Sequence, residues 1–229
     1  MCEEVKRLKR AHNYDFSSLL IDLEKDSKEE QNNKNLQIEA IADSITEQII
    51  DNNMDIERIR NYPYAQPIIA ISKHFGFKNY ESDFSILGNA MEAYRNSSGM
   101  IAIDGDLIEK YNTDKILIIN KMDSAKHQRF TIAHELGHYI FDFNEMKEYK
   151  YYDFYRTEDI YINDVERRAS RFAAALLMPK DTFIERYNII ENKNYYEKIN
   201  ILSDEFQVSS TAVNRRVQEL KELGILNDE

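Results

Sequence analysis

Tryptophan is absent and cysteine occurs once, at Cys2, so no internal disulfide can form and aromatic burial falls to 15 Tyr and 11 Phe. A lone cysteine suits a reducing compartment. Long apolar runs are missing too. The longest, Phe172 to Met178, falls far short of the ~20 residues that span a bilayer. The first residues, Met1-Cys2-Glu3-Glu4-Val5-Lys6-Arg7, lack the apolar stretch of a secretory signal. A cytoplasmic protein with no membrane association is the expectation. Positive charge is also short: Lys and Arg total 30 against 41 Asp and Glu, a formal net charge of −11. Such a balance opposes non-specific attraction to nucleic acid or to an anionic membrane.

What is present is organised in blocks. Residues 1–35 are dominated by charged and amide side chains, as in Glu24 to Asn35, and read as a mobile tail or a solvated helix. From Leu36 onward, Ile38, Ile41, Ala42, Ile45 and Ile49 recur at helical spacing and predict an amphipathic helix. A short helix should begin near Pro67 and stop at Gly76. Met100-Ile101-Ala102-Ile103 and Ile116-Leu117-Ile118-Ile119 are β-branched runs among turn residues, predicting a small antiparallel sheet. A helix from about Ser124 or Ala125 to Phe141 follows, then a Tyr-rich connection, then a helix from about Asp164 to Met178 that Pro179 ends. Residues 201–229 read as two short helices with Leu202, Phe206, Val208, Val213, Val217, Leu220 and Leu223 on an apolar face.

The chemistry concentrates at His134-Glu135-Leu136-Gly137-His138. Helical residues four apart lie about 6 Å apart on one face, so both imidazoles can converge on one ion. Zinc accepts histidine nitrogen, and a catalytic zinc site takes three protein ligands. Glu135 projects roughly 100° around the helix from His134, off the ligand face but beside it. It can serve there as general base, taking the proton of the attacking water. The flanks Phe130-Thr131-Ile132-Ala133 and Tyr139-Ile140-Phe141 are apolar, as a helix buried through a core requires. Gly137 costs about 1 kcal/mol against Ala within a helix, which hints at close approach by another backbone. The competing reading is a pair of structural histidines.

A third ligand has to be found. The longer metzincin pattern would need Gly at 141 and His at 144, where this chain has Phe141 and Asn144. No histidine follows His138, so a downstream ligand must be a carboxylate: Asp142, Glu145, Asp153, Glu158, Asp159, Asp164 or Glu166. Glu166 stands out because it opens an apolar helix whose Ala169 and Ala173 allow close packing against a neighbour. A capping box, Asn163-x-x-Glu166, competes for the same side chain.

These residues resemble the ImmA/IrrE-type metallo-endopeptidases. The resemblance rests on Arg129-Phe130-Thr131-Ile132-Ala133-His134-Glu135-Leu136-Gly137-His138. It continues in Glu166-x-x-Ala169-x-x-Phe172-Ala173-Ala174-Ala175-Leu176-Leu177-Met178-Pro179, and covers about half the chain with its weaker extensions. It implies a mainly helical α+β, zincin-like core, with Zn2+ held by His134, His138 and Glu166 and with Glu135 as catalytic base. Arg168 and Ser170 depart from the family pattern, where acidic or amide residues are commoner. Members are implied to cut or inactivate helix-turn-helix transcriptional repressors, often within mobile elements or stress responses.

The resulting expectation is an intracellular zinc endopeptidase acting on a protein substrate. Residues 1–35 form a charged N-terminal segment, 36–200 the metallopeptidase domain, and 201–229 a helix-turn-helix-like tail packed on the core. In that tail Arg215, Arg216 and Lys221 face Asp204, Glu205, Glu219, Glu222, Asp228 and Glu229, an acidic balance unlike that of a DNA reader. Direct DNA binding is therefore not expected. The alternative is a non-catalytic protein that sequesters a repressor or contacts DNA through the tail. Two further expectations are a sheet edge at Ile116–Ile119 for an extended substrate and, as a minor alternative to a helix-start role, an oxyanion contact from His127.

Overall fold

In the computed structural model, which describes residues 27–51, 62–86, 97–143, 150–155, 164–190 and 192–226, the first helix starts at a reciprocal cap. Ser27 N–H donates to Glu30 Oε2 at 2.8 Å, and Glu30 N–H donates to Ser27 Oγ at 3.3 Å. Two donors that a helix start leaves open are satisfied in this way. From the cap, α1 runs Lys28–Asp51. It takes in the polar residues ahead of Leu36 and buries the predicted stripe of Ile38, Ile41, Ala42 and Ile45. The short α2, Ile68–His74, follows Pro67. The chain then turns at Gly76, whose φ of +86° suits glycine.

The remaining elements are β1 (Lys78–Ser82), a 3-10 turn (Phe84–Ile86), β2 (Gly99–Asp104), α3 (Leu107–Tyr111), β3 (Lys115–Asn120), α4 (Ala125–Phe141), β4 (Lys150–Tyr155), α5 (Asp164–Leu177), α6 (Lys180–Ile189), α7 (Tyr195–Phe206) and α8 (Ser210–Glu222). The architecture is α+β, mainly helical, with one four-stranded sheet in the order β1-β3-β2-β4. The predicted pairing of β2 with β3 is antiparallel, Ile101 lying opposite Leu117. Antiparallel β4 extends it beyond β2, and β1 adds a parallel strand on the far side of β3, so the sheet is mixed. One expectation fails here. Ile116–Ile119 lies in β3, which is paired on both sides, so its main-chain groups are committed to β1 and β2. Among the described strands the sheet edges are β1 and β4.

Helix α4 lies between the sheet and α5, and α1 covers α5 from the other side. From Thr131 to Phe141 every residue of α4 is buried. Its partner α5 contributes Ala169, Phe172, Ala173, Leu176 and Leu177, all at most 1% exposed. Each such Phe or Leu stabilises the core by roughly 1.5–3 kcal/mol. The helices come close because Gly137 has no side chain: a Cβ there would lie 3.0 Å from the Ala169 Cα and 3.2 Å from Phe172 Cδ1.

Helices α7 and α8 belong to the same core, through Leu202, Phe206, Val213, Val217 and Leu220. Between them Gln207 takes the left-handed conformation, φ +54°, and the Ser209 side chain caps α8 by accepting from Ala212 N–H. Polar contacts fix this pair to α4. Arg129 Nε donates to the Gln207 carbonyl at 3.1 Å, and its Nη2 donates to the Gln66 carbonyl at 2.8 Å. Burial pulls the Arg129 guanidinium down to about 10, which still leaves it charged at neutral pH.

Candidate metal centre

Helix α4 starts where Ser124 accepts from the His127 N–H, and it ends where Asp142 N–H returns to the His138 carbonyl at 2.8 Å. Regular winding between these caps puts His134 and His138 one turn apart on one face, toward the N-terminal end of α5. His134 and Glu135 are 0% exposed and His138 1%, so neither imidazole is a solvated surface group. Glu166, in the first turn of α5, reaches across to both rings. His134 Nε2 lies 3.1 Å from Glu166 Oε2, His138 Nε2 lies 3.4 Å from Glu166 Oε1, and the two Nε2 atoms are 2.9 Å apart.

These separations test whether the trio fits a metal ion. Four ligands about 2.05 Å from a tetrahedral zinc would stand about 3.3 Å from one another. The three measured distances, 2.9, 3.1 and 3.4 Å, bracket that edge. One donor atom from each of His134, His138 and Glu166 lies within 4.8 Å of the others, and among the described residues no other group of this kind occurs. The donor set, two imidazoles and one carboxylate, suits a first-row divalent ion.

The outer nitrogens of both rings are held as well. His138 Nδ1 meets Asp142 Oδ2 at 2.6 Å, and His134 Nδ1 meets Ser170 Oγ at 3.2 Å. With Nδ1 engaged outside, Nε2 of each ring is the nitrogen turned inward. Asp142 is itself gripped by the Arg168 guanidinium, which is 1% exposed and lies 5.4 Å from the centre of the Phe141 ring. Burial works to raise the Glu166 carboxyl, but the hydrogen bonds and positive potential of His134 and His138 hold it well below the usual carboxylate range. The carboxylate anion is thus the form these imidazoles favour.

Of the carboxylates considered as a third ligand, Glu166 joins the imidazoles. Asp142 touches His138 from outside, and Asp164 pairs with Arg167. Glu145, Glu158 and Asp159 lie outside the described residues, as does Asn163 of the competing capping box. His127 is occupied elsewhere: its Nε2 is 2.8 Å from Ser98 Oγ and 3.6 Å from Asp123 Oδ2. Sequence reasoning missed the part played by Asp142, Arg168 and Ser170. A signal for one was available, since Asp142 stands four residues after His138 on the same helical face. Beside the trio, β2 begins at Gly99, where a Cβ would press into the Thr131 methyl and stand 3.6 Å from Glu135 Oε1. A glycine therefore leaves room next to the Glu135 carboxylate.

Two helices that bring histidine and glutamate donors to one point below a small mixed sheet define an α+β protein of the zincin-like metallopeptidase kind. The chain belongs to the IrrE N-terminal-like domain family, Peptidase_M78, which matches residues 91–218 and so includes His134, His138 and Glu166. A solved Mycobacterium tuberculosis transcriptional regulator is 17% identical, with a TM-score of 0.42, over 96% of this chain and 52% of that one. This chain therefore spans about half the length of that structure. No curated protein matches the sequence significantly. No described helix is long and apolar enough to cross a membrane.

Proposed function

We propose that the chain is a zinc-dependent endopeptidase in which His134, His138 and Glu166 hold the metal and Glu135 is the general base. One observation carries this reading: three donor atoms converge at tetrahedral spacing while both outer imidazole nitrogens are engaged by Asp142 and Ser170. Zinc bound there would supply Lewis acidity toward a peptide carbonyl and lower the pKa of water. Glu135 follows His134 directly, so its carboxylate lies beside the donors and not among them. It accepts a proton from the attacking water and returns it to the departing amine nitrogen. Asp142 and Ser170 keep the imidazoles from rotating.

The substrate class follows from the family resemblance: a protein, and specifically a helix-turn-helix repressor. An extended segment of it would pair with β4, the edge strand that lies between the two ligand-bearing helices in chain order. A substrate complex without main-chain pairing to β4 would remove this part of the reading. DNA contact through α8 is less favoured. Val213, Arg216, Val217 and Leu220 are buried in the core, and Arg216 is committed to Glu39 and the Met178 carbonyl.

The experiment is incubation of a helix-turn-helix repressor, encoded by an adjacent gene, with the wild type and with Glu135→Gln, fragments being identified by mass. Cleavage by the wild type alone, with zinc retained by Glu135→Gln and lost by His134→Ala, is the expected result. Equal cleavage by Glu135→Gln would remove the assigned base. A stable complex with an intact repressor, formed by both proteins, would favour sequestration without hydrolysis.

A further inference from the structure

Residues of α1, α5 and α8 line an open-sided cavity of about 550 Å3, bordered on α5 by Arg167 and Arg171, about 100° around that helix from Glu166 and Ser170. Each helix presents one stripe to it. Lys28, Gln31, Asn32 and Asn35 are spaced as one face of α1, Arg167 and Arg171 are one turn apart on α5, and Arg215 and Glu222 come from α8. Four cations and one carboxylate thus line the cavity, in a chain whose basic residues are otherwise outnumbered 30 to 41. The inversion is local.

Three of these cations have carboxylate partners, Arg167 in Asp164, Arg171 in Glu222 and Arg215 in Glu219, which leaves Lys28 and part of the Arg171 guanidinium to meet a ligand. Lys28 is exposed and has no ion-pair partner among the described residues. Arg171 reaches Glu222 at 3.2 Å, but the Glu222 side chain is 64% exposed, so solvent competes for that carboxylate. Arg215 Nε pairs with Glu219 Oε1 at 3.3 Å, so its charge is shared with that carboxylate. Arg171 Nη1 is buried and makes no hydrogen bond. Guanidinium groups present paired donors that match phosphate oxygens, and side-chain amides supply donors and acceptors for hydroxyls.

We propose that this cavity binds a phosphorylated small molecule of nucleotide size. A lone phosphate would leave most of 550 Å3 unfilled, whereas that volume is ordinary for a cofactor-sized ligand. The walls are three helices of one core, so the bound molecule bridges α1 and α8 across the helix that carries Glu166. The site is separate from the metal centre, and its existence does not depend on the peptidase reading.

The test is calorimetric titration of the full chain with ATP as probe, repeated in His134→Ala, where phosphates can no longer chelate a bound metal. Saturable one-site binding, kept in His134→Ala and weakened about tenfold or more in both Lys28→Gln and Arg171→Gln, is expected. Lys28 is exposed, so Lys28→Gln reads binding even if Arg171→Gln unfolds. No binding, binding abolished by His134→Ala, or binding indifferent to Lys28→Gln would each overturn the proposal. So would a short DNA duplex that occupies the same residues while ATP does not, since the phosphate would then come from nucleic acid.

Discussion

Asp142 Oδ2 lies 2.6 Å from His138 Nδ1, while the other oxygen of the same carboxylate receives the buried Arg168 guanidinium. One side chain thereby sets a ring orientation and neutralises a cation that has no solvent to turn to. Loss of such an outer partner typically weakens metal affinity by about 10- to 100-fold. Asp142→Ala is expected to weaken zinc binding by that order in a chelator competition, and to lower the unfolding midpoint because Arg168 is left unpaired. Asp142→Asn keeps an acceptor and should fall between. Ser170→Ala, which removes a longer contact of 3.2 Å to His134 Nδ1, should cost less. Zinc affinity unchanged in Asp142→Ala would show that His138 is oriented by packing alone.

Gly137 offers a second test, because its neighbour is main chain. A Cβ at this position would stand 3.0 Å from Ala169 Cα and 3.2 Å from the Ala169 carbonyl oxygen. Backbone cannot rotate aside as a side chain can, so α4 and α5 must separate. Gly137→Ala should destabilise by about 1–3 kcal/mol in urea unfolding, despite the better helix propensity of alanine. Separation would also draw Glu166 from the imidazoles, so zinc affinity should fall in the same variant. A gain in stability would mean that the helices have room between them.

Glu166 stands out from the other carboxylates mainly by the family resemblance, whereas the close approach of α4 and α5 was legible in the residues themselves, as were both ends of α4, the position of α5 and the shared face of His134 and His138. Each depends on local spacing or on a residue with one dominant use. The unforeseen parts depend on pairing across distance. Strand β1, Lys78-Asn79-Tyr80-Glu81-Ser82, is half exposed and carries no apolar alternation, so nothing in its composition announces a strand. The sheet supplies its partner from β3, far along the chain. Aromatic β4 was hidden in a Tyr-rich connection for a similar reason. The start of α1 is different: Ser27-x-x-Glu30 is a capping signature that the charge run obscured.

Glu39 and Arg216 join α1 to α8 by paired hydrogen bonds, one of them 2.7 Å, with both side chains at most 2% exposed. Removing one partner leaves a buried charge uncompensated, which typically costs about 3–5 kcal/mol. Glu39→Gln and Arg216→Met should each show a loss of that order in urea unfolding. The double variant Glu39→Met with Arg216→Met removes both charges and should lose much less than the sum. Strict additivity in this cycle would show that the two groups do not stabilise each other.

Glu219 gives a pH-dependent test. It is buried, its Oε2 makes no hydrogen bond, and its carboxyl is raised above the ordinary 4.5 because burial outweighs the nearby Arg171, Arg216 and Arg215. An acid that holds its proton more tightly when folded contributes stability below its unfolded pKa, and that contribution is lost as pH rises through the folded value. At neutral pH the ionised form is therefore a burden on the fold. Glu219→Gln mimics the protonated acid at every pH, so it should unfold at a higher temperature than the wild type at neutral pH. The difference should shrink as the pH falls and vanish below about 4.5, where the wild-type side chain is protonated in both states. A neutral-pH midpoint lower than the wild type would show instead that the 3.3 Å contact of Glu219 with Arg215 outweighs the desolvation of the carboxylate.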